Sequence, residues 1–258
     1  MNSPKVSIIT VCYQSAATLR QTIESVLAQD YPNLEYWVID GGSKDDSLTI
    51  LKDYEGRIHY ISEKDQGIYD AMNKGLARVT GDIIGMIGAD DFYPANNIIS
   101  SVVTCFQEKG TDTVYGDIQF VDPISGALVR FWPAGEYQRN NWLWGWMPPH
   151  LSFYAKKSVY DEIGPFRTDF TCAGDYDWML RALYKAKKTA AYLPKTLMTM
   201  RNGGTSTASW KHRLVANRED RQAWKDNGLQ PYFFTLFLKP VRKIFQLFNS
   251  EKKAGSKL

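Results

Sequence analysis

Short apolar runs alternate with segments of helical periodicity through the first ninety residues, and this alternation constrains the fold more than any other feature. Strands are predicted at Val6 to Cys12, Leu34 to Asp40, Ile58 to Ile61 and Asp82 to Ile87, and helices at Ala17 to Leu27, around Leu48 and Leu51, and at Tyr69 to Val79. Consecutive βαβ units of this kind build a mostly parallel sheet covered by helices on both faces. The sequence therefore predicts an α/β protein.

Polar residues follow each of the four predicted strands. They are Tyr13 and Gln14 after the first strand, Asp40 to Ser43 after the second, Glu63 to Gly67 after the third, and Asp90 with Asp91 after the fourth. In open parallel sheets, ligands bind outside the carboxyl ends of the strands. We therefore expect these polar residues to form one ligand-binding edge.

The character of the sequence changes after Thr113. Further strands are predicted at Val114 to Val121, Leu128 to Phe131 and Leu151 to Ala155, and a helix is predicted from Gly174 through Tyr184. The alternating tryptophans Trp142, Trp144 and Trp146 suit one face of a strand or a loop that stacks on a ligand, and we expect core packing for at least one of them. No linker or repeat interrupts the chain, so residues 1–210 are expected to form one catalytic domain, followed by a helical tail at 211–258.

Charge and cysteine usage exclude several functional classes. The 258 residues carry a formal net charge of +3, which does not favour nucleic-acid binding. The three cysteines are far apart and lack metal-type spacing, which indicates packing roles in a reducing compartment. The first apolar run is too short and polar for a secretory signal, and no stretch of transmembrane length is free of charge and proline. A cytoplasmic location is therefore expected.

Asp90 and Asp91 form an adjacent pair of carboxylates after an apolar strand. Such a pair repels itself unless a cation or a hydrogen-bond donor compensates the charge. Mg²⁺ or Mn²⁺ on a diphosphate would provide that compensation. The other interpretation is an N-cap for a helix over Asn96 to Phe106, and the pair alone leaves both interpretations open.

Asp40 ends an apolar strand and precedes two glycines, where the backbone can approach a ligand closely. A carboxylate at this position can accept hydrogen bonds from a base or ribose, although simple turn chemistry gives the same pattern. Ser43 and Asp46 form the pattern of a capping box for the next helix, and we expect that structural role for both.

The run from Ser62 to Gly75 is too polar, at a strand-to-helix junction, to be explained by packing. Together with Val11 to Gln14, Asp40 to Ser43 and Gly88 to Asp91, it closely resembles the inverting glycosyltransferase family 2, which has the GT-A fold. Within that family the chain is most similar to the bacterial subgroup that builds O-antigen, capsule and other lipid-linked polysaccharide repeats. The resemblance covers Val6 to about Ser206.

The resemblance implies roles for five residues on the donor side. Tyr13 and Asp40 match positions that hold the nucleotide base, and Asp65 falls where that surface continues. Asp90 matches the first acid of the variant Asp-x-Asp motif, near the ribose, and Asp91 matches the acid that ligates Mn²⁺ or Mg²⁺ on the diphosphate. Such a cation would offset the charge that develops on the leaving nucleoside diphosphate.

The resemblance also implies a general base. Gly174 and Asp175 match the Glu-Asp motif of the family, whose Asp deprotonates the acceptor hydroxyl, and Gly stands where Glu is commoner. An N-cap role for Asp175 and a rival base at Asp177 are the alternatives. A single base predicts inversion at the anomeric carbon, since retention by double displacement needs a nucleophilic carboxylate that the sequence does not reveal.

Two further segments match the subgroup with less definite roles. His150 could contact the acceptor or a donor phosphate, or could be structural. Asn202 to Ser206 resembles a segment that can close over the donor, although its glycines also suit a plain turn.

These observations predict transfer of a hexose or N-acetylhexosamine from a nucleotide-diphosphate sugar, most simply a UDP-sugar, to a saccharide on a polyprenyl diphosphate. The basic amphipathic tail predicts peripheral binding to the inner membrane surface, with docking on the catalytic domain or on a second subunit as the alternative. A sugar nucleotidyltransferase would need a Gly-rich phosphate loop after the first strand, which Val11 to Ala17 lacks. An inactive sugar-nucleotide-binding scaffold is the other alternative, and the retained Asp91 and Asp175 argue against it.

Overall fold

The computed structural model describes residues 3–203 and 210–239, and these form a single mixed sheet with helices on both sides. The strands are β1 (Val6–Cys12), β2 (Leu34–Asp40), β3 (His59–Ser62), β4 (Ile83–Gly88), β5 (Thr113–Val121), β6 (Leu128–Trp132), β7 (Phe153–Lys156) and β8 (Ala190–Arg201). The α-helices are α1 (Ala16–Leu27), α2 (Ser47–Asp53), α3 (Ile68–Leu76), α4 (Ile98–Lys109), α5 (Lys157–Ile163), α6 (Gly174–Met179) and α7 (Trp210–Asp226).

The strand order is β3-β2-β1-β4-β7-β5-β6, and β8 pairs with β5. Strands β3, β2, β1 and β4 are parallel, β7 runs antiparallel between β4 and β5, and β8 is parallel to β5. The carboxyl ends of β1 to β4 therefore meet the beginning of β7 at one edge, which confirms the predicted α/β fold and its mostly parallel sheet.

Two apolar layers cover the sheet because β1 alternates its side chains between the two faces. Ile8 packs with residues of α1, α2 and α4, whereas Ile9 packs with residues of α3, α5, α6 and α7. At roughly 25 cal/mol per Å² of apolar surface, this two-sided burial is the main contribution that holds the sheet in place.

The structure corrects the predicted elements in three places. Strand β8 was absent from the sequence prediction. The tryptophan segment is a 3₁₀ helix over Arg139–Trp144 and not a strand; Trp142 and Trp146 are buried in the core, and Trp144 is exposed. The predicted helix from Gly174 does run to Lys185, but its second half, Leu180–Lys185, is a π-helix.

The segment after residue 210 packs on the catalytic domain as far as it is described. Trp224 of α7 is fully buried, and its indole N–H donates to Tyr176 Oη over 2.7 Å. In the basic amphipathic tail, the sequence places Val241, Ile244, Phe245 and Phe248 on the apolar face and Lys239 off that face. Lys239 forms an ion pair with the buried Asp220, and the four apolar residues lie outside the described residues. No helix within 3–203 or 210–239 is both long and apolar enough to cross a membrane.

Candidate active site

The loops after β1, β2 and β3 converge on a surface formed by Tyr13, Gly41 and Asp65. The Tyr13 ring is 62% exposed. A Cβ atom placed on Gly41 would lie 2.3 Å from Asp65 Oδ2 and 3.3 Å from Tyr13 Cδ2, so a side chain at position 41 would displace the Asp65 carboxylate. Asp65 is held in place by the Gly67 amide, which donates to its Oδ1 over 3.0 Å. An exposed aromatic ring can stack on a nucleotide base, and a carboxylate beside the ring can accept hydrogen bonds from that base.

Asp40 lies directly beneath this surface and is fully buried. Its carboxylate accepts hydrogen bonds from the Ser43 hydroxyl (2.5 Å), the Ser43 amide (3.1 Å) and the Ser62 hydroxyl (2.6 Å). These bonds tie the β2 and β3 loops together. Asp40 therefore supports the loops after β2 and β3, and its contact with a nucleotide base stays a prediction.

Ser43 and Asp46 do not form the predicted capping box. The Ser43 hydroxyl accepts a hydrogen bond from the Gln14 amide over 2.8 Å, and Asp46 precedes α2 without a side-chain capping bond. Gln14 has a φ of 53°, a left-handed conformation that few residues other than glycine adopt. Ser43 thus supports the strained turn that carries Tyr13.

Asp90 and Asp91 follow β4 and direct their carboxylates toward the same space. A Cβ atom on Gly88 would lie 2.9 Å from Asp90 Oδ1 and 2.8 Å from Asp91 Oδ2. Asp91 is only 2% exposed, and its Oδ1 has no hydrogen-bond partner within the described part of the chain. Burial, followed by the charge of Asp90, raises the pKa of Asp91 well above its usual range, and Arg201 opposes this shift.

A buried carboxylate oxygen without a partner is costly, and a divalent cation would compensate it. The pair therefore fits Mg²⁺ or Mn²⁺, which bind oxygen ligands and accept the remainder of their shell from phosphate and water. No group of three or more His, Cys, Asp or Glu residues suited to a metal occurs in the described ranges, so Asp90 and Asp91 would leave most ligand positions to a substrate. Helix α4 begins at Ile98, so neither aspartate caps it, which corrects the capping alternative.

Arg201, at the end of β8, is a site residue that the sequence reasoning missed. Its guanidinium donates to the backbone oxygen of Asp90 and to the Gln21 side chain, and it lies 5.2 Å from the centre of the Phe92 ring. The arginine places a fixed positive charge beside the two aspartates. The glycine-containing segment that follows was predicted to close over the donor, and its residues from Gly204 to Ser206 lie outside the described part.

Asp175 lies in the first turn of α6, where Ala173 is the N-cap residue, so the capping role for Asp175 is wrong. The carboxylate is half-buried, and Oδ1 accepts a hydrogen bond from Tyr69 Oη over 3.2 Å. Tyr69 belongs to α3, which begins just after Asp65. The segment from Asp65 to Tyr69 therefore connects the surface formed by Tyr13, Gly41 and Asp65 to Asp175, the predicted general base.

Asp177 is fully buried and does not face the site. Its two oxygens accept hydrogen bonds from Arg181 Nε and Asn227 Nδ2, each over 2.8 Å. The carboxylate links α6 to the end of α7. This structural role corrects the prediction of Asp177 as a rival base or acceptor contact, and the Asp-Arg spacing of four residues on a helix was the available signal.

His150 begins the 3₁₀ turn that precedes β7 and lies close enough to Asp175 to sense its charge. Its ring packs edge-on against Phe166 with centroids 5.8 Å apart. Burial lowers the pKa of His150, while Asp175 opposes the shift. The structure thus brings His150 to the predicted base as a half-buried imidazole.

Glu219 of α7 holds the loop that precedes Asp175, and nothing in the local sequence identified it. Its carboxylate accepts four hydrogen bonds, from the Thr171 amide and hydroxyl and from the amides of Cys172 and Ala173, over 2.7 to 2.9 Å. These bonds lower the pKa of Glu219 in spite of its burial, which opposes ionisation. Helix α7 therefore fixes the loop before Asp175, the predicted general base.

Comparison with known proteins agrees with this arrangement. The family described as Glycosyl transferase family 2 matches residues 7–184. An uncharacterised glycosyltransferase of Mycobacterium tuberculosis is 32% identical over 192 residues, which cover 70% of each chain. A PGL/p-HBAD biosynthesis glycosyltransferase of Mycobacterium bovis is 27% identical over 198 residues, or 75% of each chain. The chain belongs to glycosyltransferase family 2.

Solved structures with the same fold include a mannosyltransferase and a protein bound to a nucleotide sugar. A fragment of S. aureus TarS in complex with UDP-GlcNAc superposes with a TM-score of 0.67 and 16% identity, covering 86% of this chain and 65% of that one. The mannosyltransferase PcManGT from Pyrobaculum calidifontis, in complex with GDP-Man and Mn²⁺, has a TM-score of 0.65 and 16% identity, covering 99% and 76%. The fold is that of the GT-A glycosyltransferases.

Proposed function

We propose that this glycosyltransferase is metal-dependent and inverting, and that it moves a hexose or N-acetylhexosamine from a UDP-sugar to a saccharide carried on a polyprenyl diphosphate. The reaction would belong to the assembly of bacterial surface polysaccharide, such as O-antigen or capsule. The site supports this proposal because it combines an aromatic and acidic base-binding surface, an undercompensated acidic pair and a separate half-buried carboxylate.

The unpartnered Oδ1 of the buried Asp91 is the observation that carries the proposal. Asp91 and Asp90 would hold Mg²⁺ or Mn²⁺, and such a cation supplies charge neutralisation to a diphosphate leaving group. Tyr13 and Asp65 would bind the base of the donor. Arg201 adds positive charge near the two aspartates. Its guanidinium group would help to hold the anionic phosphates of the donor.

Asp175 would act as the general base. As the acceptor hydroxyl oxygen forms a bond to the anomeric carbon, the bond from that carbon to the nucleoside diphosphate breaks and the hydroxyl proton moves to Asp175. The half-buried position of Asp175 leaves part of the carboxylate accessible to an acceptor. A single displacement of this kind inverts the anomeric configuration.

Four neighbouring rings, which we call the aromatic patch, support binding at a membrane surface: Trp144, Tyr232, Phe233 and Phe234. Their contacts are continuous, with centroids 5.2 Å apart between Phe234 and each of Trp144, Tyr232 and Phe233. Phe233 is 89% exposed. Aromatic side chains are favoured at membrane interfaces, and the sequence beyond residue 240 adds basic residues suited to anionic lipid. We infer a cytoplasmic enzyme peripheral to the inner membrane.

The test measures thermal stability with a panel of nucleoside diphosphates, with and without Mn²⁺, because a ligand that binds the folded state raises the melting temperature. Nucleoside diphosphate release is then measured from UDP- and GDP-sugars with a prenyl-diphosphate-linked N-acetylglucosamine acceptor. Asp91→Asn should abolish the metal-dependent stabilisation by UDP. Asp175→Asn should keep that stabilisation and lose transfer.

Asp53→Asn, a change to a surface carboxylate on α2, serves as the matched control and should alter neither property. Equal loss of UDP binding in the Asp91 and Asp175 variants would refute this division of roles. UDP binding by the wild-type protein without turnover of any donor would favour the inactive scaffold.

A further inference from the structure

Tyr69 and position 174 occupy the same space beside the predicted base. A Cβ atom on Gly174 would lie 2.8 Å from both Cδ2 and Cε2 of the Tyr69 ring, closer than such contacts occur in proteins. Tyr69 is itself buried, so its ring cannot move aside into solvent. A side chain at position 174 and the observed Tyr69 ring therefore exclude each other.

The Tyr69 ring is also fixed from its other side. It stacks on Phe166 with centroids 6.1 Å apart and an interplanar angle of 23°. The backbone of Phe166 is held by Asn73 of α3, which donates to its carbonyl and accepts from its amide, both over 2.9 Å. Because Asn73 and Tyr69 lie four residues apart on one helix, the ring, its stacking partner and the helix form one rigid unit.

The hydroxyl of this fixed ring donates to Asp175 Oδ1. Burial, followed by the charge of Asp175, raises the pKa of Tyr69, so the phenol retains its proton as the donor. The charge of Asp175 also affects the pKa of His150, where it opposes the lowering caused by burial. Among the described residues, no hydrogen bond occupies Oδ2 of Asp175, so the Tyr69 bond selects which oxygen stays available.

We propose, on the basis of the function assigned above, that Tyr69 is a positioning residue for the general base. Gly174 provides the space that the ring needs, and the Tyr69 hydroxyl orients Asp175 so that Oδ2 faces the acceptor hydroxyl. This pairing explains how the base can be held although position 174, where the family more often has Glu, carries no side chain. Tyr69 and Gly174 would thus act as one unit.

The critical variant is Tyr69→Phe, which keeps the ring and removes the hydrogen bond. Loss of orientation at a reacting group should lower kcat by about 10-fold, while stabilisation by UDP and Mn²⁺ stays at the wild-type level. A donated hydrogen bond favours the ionised carboxylate, so its removal should also move the acid limb of the pH-rate profile to higher pH. A residue with only a packing role would not move that limb.

Tyr160→Phe is the matched control. Tyr160 is a buried tyrosine that packs on Phe166, with centroids 6.4 Å apart, and its hydroxyl makes no hydrogen bond within the described residues. This control should keep the wild-type kcat and pH profile. Equal effects of the two substitutions would reduce Tyr69 to a packing residue and overturn the proposal.

Gly174→Ala provides an independent variant, since the added methyl group displaces the ring without changing a polar group. Its loss of kcat should match that of Tyr69→Phe, and the double variant should lose little more, because both changes remove one interaction. Additive losses would contradict a shared unit. If Asp175→Asn keeps wild-type transfer, both the function proposed for Asp175 and the inference about Tyr69 are overturned. If Asp175→Asn abolishes transfer while Tyr69→Phe leaves the rate and the pH profile unchanged, only the inference about Tyr69 is overturned.

Discussion

Lys239 Nζ lies 2.7 Å from Asp220 Oδ2, and this ion pair joins the last described helical residues to α7. The same ammonium lies 3.9 Å from the centre of the Tyr176 ring, next to Asp175 in the chain. Asp220 is buried, so the pair is shielded from water on the side of the carboxylate. The C-terminal segment therefore contacts the residue that follows the predicted general base in the chain.

Removing the cation from this pair should be more harmful than removing both charges. Lys239→Met removes the ammonium group that pairs with the buried Asp220 and should lower the free energy of unfolding by about 3 kcal/mol. The double variant Lys239→Met with Asp220→Leu should recover most of that loss. Urea unfolding of the three proteins checks the prediction, and a double variant less stable than the single variant would contradict it.

Glu219→Gln should weaken the loop that precedes Asp175. A carboxamide has one accepting oxygen where the carboxylate has two. Its NH₂ group would face groups that now donate hydrogen bonds to Glu219, which should lower the free energy of unfolding by about 2 kcal/mol. Transfer should fall as well, with UDP binding retained. Lys225→Ala, on the exposed side of α7, is the control for both assays. Unchanged transfer by Glu219→Gln would show that the loop keeps its position without these bonds.

Glu35 should make the folded protein sensitive to acid. Burial opposes its ionisation, but hydrogen bonds from Ser7, Thr80 and Lys5 outweigh that effect and lower the pKa of Glu35 to about 2, from 4.5 in a model compound. The unfolded chain therefore binds the proton first as the pH falls, and the stability that Glu35 provides, present above about pH 4.5, is lost progressively toward pH 2.

The measurement compares urea unfolding at pH 6 and pH 3. The wild-type protein should lose about 2 kcal/mol more than Glu35→Gln across this interval. The exposed Glu55→Gln is the control and should behave like the wild-type protein. Parallel losses in the wild-type and Glu35→Gln proteins would contradict the prediction.

Gly41→Ala should remove nucleotide binding while leaving the fold intact. The new methyl group would collide with Asp65 and press on Tyr13 at the surface where the base is proposed to bind. We expect stabilisation by UDP and Mn²⁺ to disappear in a thermal melt. Asp46→Ala, in the same loop and exposed, should retain it. If Gly41→Ala binds UDP as the wild-type protein does, the nucleotide base binds at another surface.

The aromatic patch should control binding to lipid. Phe233→Ser should weaken binding to vesicles of phosphatidylglycerol and phosphatidylcholine by about 30-fold, since one fully inserted phenyl ring contributes on the order of 2 kcal/mol. Ile124→Ser, a 95% exposed apolar residue on the β5–β6 turn, is the control and should bind normally. Cosedimentation measures both, and equal binding of the two variants would remove the patch from the interface.

The sequence predicted the first half of the fold well because each strand there is bounded by turn residues and followed by an amphipathic helix. Strand β8 escaped prediction because Pro194 and Lys195 interrupt it, and proline argues against a central strand. In the structure these two residues form a bulge, with Gly116 opposite Leu193 and Asp117 opposite Thr196. The strand tolerates proline where the pairing is already broken.

Short motifs were enough to nominate Asp65, Asp90, Asp91 and Asp175 as candidate site residues, and their roles stay predictions. Its support was not predictable, because Glu219 reaches its loop from about 48 positions away and leaves no local pattern. Asp40 shows the opposite limit. Its position at the end of β2 was correct, but only the structure shows that Ser43 and Ser62 surround its carboxylate.

The pairing of β7 against β4 joins the first part of the chain to the second. Tyr13, Asp65 and the acidic pair lie in the first part and Asp175 lies in the second, but Tyr69 of the first part contacts Asp175, and Arg201 of the second part contacts Asp90. Where β7 pairs with β4, the Tyr154 ring covers Gly85 so closely that a Cβ atom on Gly85 would lie 2.4 Å from the ring. We therefore expect recombination between relatives near residue 112 to exchange acceptor preference and keep the donor only when Gly85 with Tyr154, Tyr69 with Gly174, and Gln21 with Arg201 are inherited in pairs.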